Sequence, residues 1–147
     1  AAGNWVPPPA LSPRASHSHG TKINTHTKQY QEPMKALFSV EAYLRHASIA
    51  GNLKHLVYLR ASHLNGCAYC IDMHWKDLRA LGESEQRLYG VAAWAESPYY
   101  TPRERAAFLW TDSVTQLHPS HVSDDVYTQV REHFSEQEIV DLTLAVG

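Results

Sequence analysis

The chain has 147 residues, 44% of them apolar and 19% charged, with a formal net charge of −2 at pH 7. That size predicts one domain with a full hydrophobic core. The near-neutral balance excludes a strong electrostatic case for nucleic acid, and no apolar run approaches the ~18 residues of a membrane-spanning helix. Two cysteines, Cys67 and Cys70, are too few for a disulfide-stapled secreted scaffold. The reading is of a cytoplasmic protein with neither a nucleic-acid nor a membrane partner.

Residues 1–31 hold Arg14, Lys22 and Lys28 and no acid, with Pro7, Pro8, Pro9 and Pro13 followed by a Ser/His/Thr-rich run. Such a stretch buries too little apolar surface to offset the entropy of ordering it, so it reads as a flexible arm. His17, His19 and His26 within it read as incidental. Residues 32–147 carry all fifteen acids and read as an all-α domain. A first helix from Met34 to about Ala50 places Leu37, Val40, Leu44 and Ala47 on one stripe, and Gly51-Asn52 breaks it. The second runs from Leu53 to Leu64 and ends at Asn65-Gly66. The third, from about Cys67 to Leu81, stops at Gly82, a residue suited to the position after a helix end. The fourth covers about Ser84–Glu96.

Thr101-Pro102-Arg103-Glu104 is the sharpest boundary, with a capping threonine, proline at the first helical position and glutamate three residues past the cap. That fifth helix is expected to reach about Leu117, before a loop in which His118 and His121 flank Pro119. Ser123-Asp124-Asp125 starts a sixth and Ser135-Glu136-Gln137-Glu138 a seventh. Trp75, Trp94 and Trp110 read as core or interface residues. Arg60 lies on the apolar stripe of the second helix, which predicts a buried ion pair with Glu41 or Asp112.

The chemistry concentrates in Asn65-Gly66-Cys67-Ala68-Tyr69-Cys70-Ile71-Asp72-Met73-His74. At ~100° per residue, Cys67, Cys70 and His74 share one helix face. Cys67 sits in the first turn, where free backbone amides and the positive end of the helix dipole favour a thiolate. Cys70 lies one turn on, within reach for a disulfide. His74, four residues later, can take or return a proton at that sulfur. The stripe continues through Leu78 and Leu81, so the thiols should be half-buried. A redox-active dithiol is the favoured reading. A zinc site is the alternative, with Cys67, Cys70 and His74 as three ligands and His55 or His63 as a fourth. Two inert core cysteines are the third reading.

The run from Leu56 to His74, together with Leu81-Gly82-Glu83, Ala93-Trp94-Ala95-Glu96-Ser97 and Arg103-Glu104-Arg105-Ala106-Ala107, resembles the alkylhydroperoxidase D-like branch of the carboxymuconolactone decarboxylase family. The resemblance spans about residues 32–146. It implies an all-helical fold assembled as a homo-oligomer, a trimer or hexamer, and a thiol peroxidase or disulfide reductase activity. Catalysis would fall to Cys67, Cys70 and His74, with a Cys67–Cys70 redox disulfide. The substrate would be a peroxide and the partner a thiol or dithiol reductant or a redox protein. No metal, flavin or haem is required. A family glutamate twelve positions before the first cysteine joins the proton relay, and here that position is His55. The family helix usually continues past Ala145-Val146-Gly147, which predicts a clipped C-terminus. Lactone decarboxylation, the parent activity, uses other groups and no cysteine pair.

Overall fold

A computed structural model describes residues 28–49, 51–116 and 122–147, with side chains from residue 31 onward. Its described residues form seven α-helices and one 3₁₀ turn: α1 Lys28–Leu44, α2 Gly51–Leu64, α3 Ala68–Ala80, α4 Glu85–Gly90, the turn Val91–Ala93, α5 Pro102–Thr115, α6 Asp124–Arg131 and α7 Glu136–Val146. The all-α reading holds. His17, His19, His26, His118 and His121 lie outside the described residues.

Caps decide where most helices begin. Thr101 and Ser135 each form a full capping box, closed by Glu104 and Glu138. Ser84 and Ser123 cap α4 and α6 through their hydroxyls. Gly66 (φ 64°) and Gly82 (φ 86°) hold the left-handed conformations that turn the chain into and out of α3.

α2 and α5 form the spine of the residues from 36 onward. α2 packs on α3, α5 and α7, and α5 also packs on α6 and α7. Leu53 and Val57 of α2 join Ala106, Ala107 and Trp110 of α5 in one buried cluster with Val130, Phe134, Ile139 and Leu142. Leu56 and Leu59, on the adjoining stripe of α2, meet Phe108, Leu78, Leu88 and Val91 in a second. Fully burying one such leucine stabilises by about 1.5–3 kcal/mol. α2 is thus clamped from two sides, which fixes the helix that leads into the cysteine turn.

The largest departures from the expected boundaries are in α1 and α4. α1 begins at Lys28, runs through Pro33 and ends at Leu44. Leu44 is buried and Ala47 partly so, whereas Leu37 and Val40 of the same expected stripe are exposed. The fourth helix stops at Gly90, six residues short of Glu96, and tightens into the 3₁₀ turn. A Cβ on Gly90 would lie 2.8 Å from the Tyr100 hydroxyl. The backbone stays right-handed helical through Trp94, and Tyr100, further along the chain, donates its hydroxyl proton to the Arg87 carbonyl. Leu81, read as inward, is 47% exposed because α3 has already ended. Trp110 is buried, while Trp75 and Trp94 pack at the edge of the second cluster.

Candidate active site

Arg60 finds Asp112, not Glu41. Its Nε and second terminal nitrogen donate to the two carboxylate oxygens at 2.6 and 2.8 Å. The Trp94 indole donates to the same carboxylate at 3.0 Å. One turn beyond Arg60, α2 ends and the chain reverses through Asn65-Gly66 into the cysteine segment.

Cys67 caps α3 rather than lying in its first turn. Its backbone is extended (φ −85°, ψ 92°), and its Sγ accepts the Cys70 backbone N–H at 3.3 Å. Cys67 and Cys70 are joined by a disulfide, with Cα atoms 5.3 Å apart. Both residues are half-buried. When the bond is reduced, the sulfur at the cap position faces a backbone donor and the positive end of a helix, and both favour the thiolate. The pair opens on a pocket of about 290 Å³ walled by Tyr58, Ser62, Asn65, His74 and the last residues of α7. A cavity of that size suits a small substrate.

His74 has a side chain only 16% exposed. Burial pushes its pKa down, the neighbouring His55 pushes the same way, and Asp77 opposes them without reversing the shift. His55, one helix away on α2, is likewise held below the usual histidine range by burial, against the pull of Asp77. Both imidazoles are therefore neutral at pH 7 and able to accept a proton. Burial also raises Tyr58, to about 12, so its phenol stays protonated. The Tyr58 ring lies 5.0 Å from that of His74 and 5.7 Å from that of His55.

The structure brings His55 and His74 together, with ring centroids 6.2 Å apart, and puts Asp77 between them. His63 is half-buried and takes no part in that cluster. The zinc arrangement of Cys67, Cys70, His74 and a fourth histidine is not formed, since the two sulfurs are bonded to each other. Asp77 and Tyr58 escaped the sequence reading. Asp77 lies three residues past His74, on the same face of α3, and that spacing was the available signal.

Comparison with known proteins gives a consistent answer. The sequence profile of the carboxymuconolactone decarboxylase family matches residues 29–113. The uncharacterized protein YdfG of Bacillus subtilis (strain 168) is 42% identical over 116 residues, 79% of each chain. The uncharacterized protein YnjA of Escherichia coli (strain K12) is 27% identical over 95 residues, 65% of this chain and 52% of that one. A crystal structure of ATU0492 from Agrobacterium tumefaciens, a protein of unknown function described as a candidate antioxidant defence protein AhpD, superposes with a TM-score of 0.79. It shares 42% identity over 87% of both chains. Among the described residues, no helix is long and apolar enough to cross a membrane.

Proposed function

Since the chain belongs to the carboxymuconolactone decarboxylase family, we propose that it is a thiol-dependent peroxidase of the alkylhydroperoxidase D-like kind, working through Cys67 and Cys70. The observation that carries this reading is the cysteine pair at the start of α3, bonded, half-buried and opening on a pocket that His74 helps to line. The antioxidant description of ATU0492 supports it from outside the chain.

The cycle starts from the reduced pair. Neutral His74, four residues past Cys70, takes the Cys70 thiol proton. The thiolate attacks the terminal peroxide oxygen, the O–O bond breaks, and an alcohol leaves with the proton returned by His74. Cys70 is left as a sulfenic acid. Cys67, whose thiolate is favoured by the Cys70 amide and the helix end, attacks that sulfur. The S–O bond breaks, the leaving hydroxide takes up the proton released by the Cys67 thiol to become water, and the disulfide forms. A dithiol reductant or redox partner protein then restores both thiols by exchange, itself becoming a disulfide. Run from that end, the same exchange is a disulfide reductase activity. His55 would serve as the outer member of the proton relay. We also propose that the chain assembles with copies of itself. Leu37 and Phe38 of α1 are 61% and 62% exposed, apolar surface of the kind a subunit interface covers.

The test is consumption of an alkyl hydroperoxide by the reduced protein with a dithiol donor. Loss of two thiols for each peroxide consumed is the expected result. A protein whose thiols survive peroxide is a binding module and not this enzyme.

A further inference from the structure

Three nitrogen and oxygen donors converge between α2 and α3 without bonding to one another. The Nδ1 atoms of His55 and His74 lie 3.8 and 3.6 Å from the same Asp77 oxygen, Oδ2. Those separations exceed a hydrogen bond, and both Nδ1 atoms are buried with no other protein partner. A buried, unpaired ring nitrogen is costly, and here two of them are turned toward one carboxylate. The donor atoms of all three residues lie within 4.8 Å of one another. Ligands on one tetrahedral zinc-class ion, with bonds of about 2.0–2.2 Å, stand about 3.4 Å apart. The two nitrogen–oxygen separations, 3.8 and 3.6 Å, are a few tenths of an ångström wider than that, and no two donor atoms of the cluster are more than 4.8 Å apart.

From this we infer that His55, His74 and Asp77 form a binding site for a zinc-class divalent cation, one that uses no cysteine. Two imidazoles and a carboxylate are the ligand set such an ion takes when it keeps one position open to solvent. Access is available at the Asp77 side chain, which is 46% exposed, while the histidines, at 26% and 16%, form the inner wall. The ligands come from two helices, His55 from α2 and the other two from α3 at a spacing of three residues, so the site depends on the packing of α2 on α3. Metal binding does not depend on the peroxidase reading. If that reading also holds, a bound ion occupies His74 Nδ1, fixes both imidazoles and slows peroxide turnover reversibly.

The experiment is zinc binding to the untagged 147-residue chain with its disulfide intact, by calorimetry and by metal analysis after dialysis. No turnover is measured, so its failure is separable from failure of the peroxidase reading. One equivalent per chain is expected at this site. His55→Ala and Asp77→Asn should each weaken it at least ten-fold, whereas the double variant Cys67→Ser/Cys70→Ser should bind as the parent does. Absence of binding overturns the site, and so does binding lost with the cysteines. Binding that survives both His55→Ala and Asp77→Asn, as metal held by His17, His19 and His26 would, overturns it equally. Circular dichroism checks each variant's fold. Asp77, the most exposed of the three, supplies the deciding variant if His55→Ala unfolds.

Discussion

Arg60 and Asp112 face each other as a two-pronged ion pair, nitrogen to oxygen at 2.6 and 2.8 Å, across the packed faces of α2 and α5. The side chains are only 13% and 25% exposed. The remaining reach of the guanidinium goes to the Ala92 carbonyl at 2.9 Å, and the carboxylate also receives the Trp94 indole. One pair therefore ties together α2, the 3₁₀ turn and α5. Asp112→Ala leaves a half-buried guanidinium without its anion, and breaking buried pairs in this way costs about 3–5 kcal/mol. Because both groups keep some solvent, a loss of about 2–3 kcal/mol is expected in urea unfolding. Arg60→Met/Asp112→Leu, which removes both charges, should recover much of it. A single variant as stable as the parent would show that the pair contributes only surface-level energy.

The division of labour between the cysteines is open to direct test. Cys67 Sγ receives the Cys70 amide, which favours it as the thiolate that exchanges with a partner. In the proposed cycle, His74 serves the Cys70 sulfur. Cys70→Ser should therefore consume no peroxide rapidly. Cys67→Ser should form a sulfenic acid on Cys70, trapped by a sulfenic-acid reagent and read by mass spectrometry, yet fail to turn over. His74→Ala should slow the oxidation by about 10²–10⁴-fold, the usual range for a lost general base. Stable sulfenic acid on Cys67 in the Cys70→Ser protein, formed at the parent's rate, reverses the assignment.

The parts of this molecule legible in its sequence are those set by neighbours along the chain. Thr101 and Ser135 announce their helices because a cap, its reciprocal glutamate and the first turn lie within four residues. The cysteine turn is legible for the same reason. What depends on packing between distant segments is not. The need for a residue without a side chain at Gly90 comes from Tyr100, ten residues later, whose hydroxyl would lie 2.8 Å from a Cβ there. Asp77 becomes a site residue only when α2 carries His55 up to it. Arg60 could be read as half of an ion pair, but the choice of Asp112 over Glu41 needed the crossing of α2 and α5.

Self-association is expected to involve the exposed part of α1. Light scattering of the parent protein at micromolar concentration should give a multiple of the chain mass. Phe38→Glu, which places a charge on that face, should shift the mass toward a single chain with little loss of folded structure, because Phe38 is already 62% exposed. A parent protein of single-chain mass would remove the proposed assembly.

Asp141 predicts how the fold responds to acid. The residue is 1% exposed on α7, and it accepts from the Tyr43 hydroxyl at 2.7 Å, the Ser48 hydroxyl at 2.8 Å, the Ser48 amide at 3.2 Å and the Gln137 amide at 3.0 Å. Burial alone would raise its pKa. The four donors outweigh burial, and the net shift is downward. A carboxyl depressed in the folded state stabilises the fold above its unfolded value of about 3.9, and that contribution is lost as pH falls through the lower folded value. The carboxylate also anchors the end of α1 and the bend after it to α7, so the loss is local as well as global. Asp141→Asn should cost about 1–3 kcal/mol at neutral pH, since an amide puts a donor where only acceptors fit. Urea unfolding at about pH 7 and again at about pH 3 checks the sign. The parent should lose more stability between the two than the asparagine variant does. An equal loss in both proteins would assign the acid sensitivity to other carboxyls.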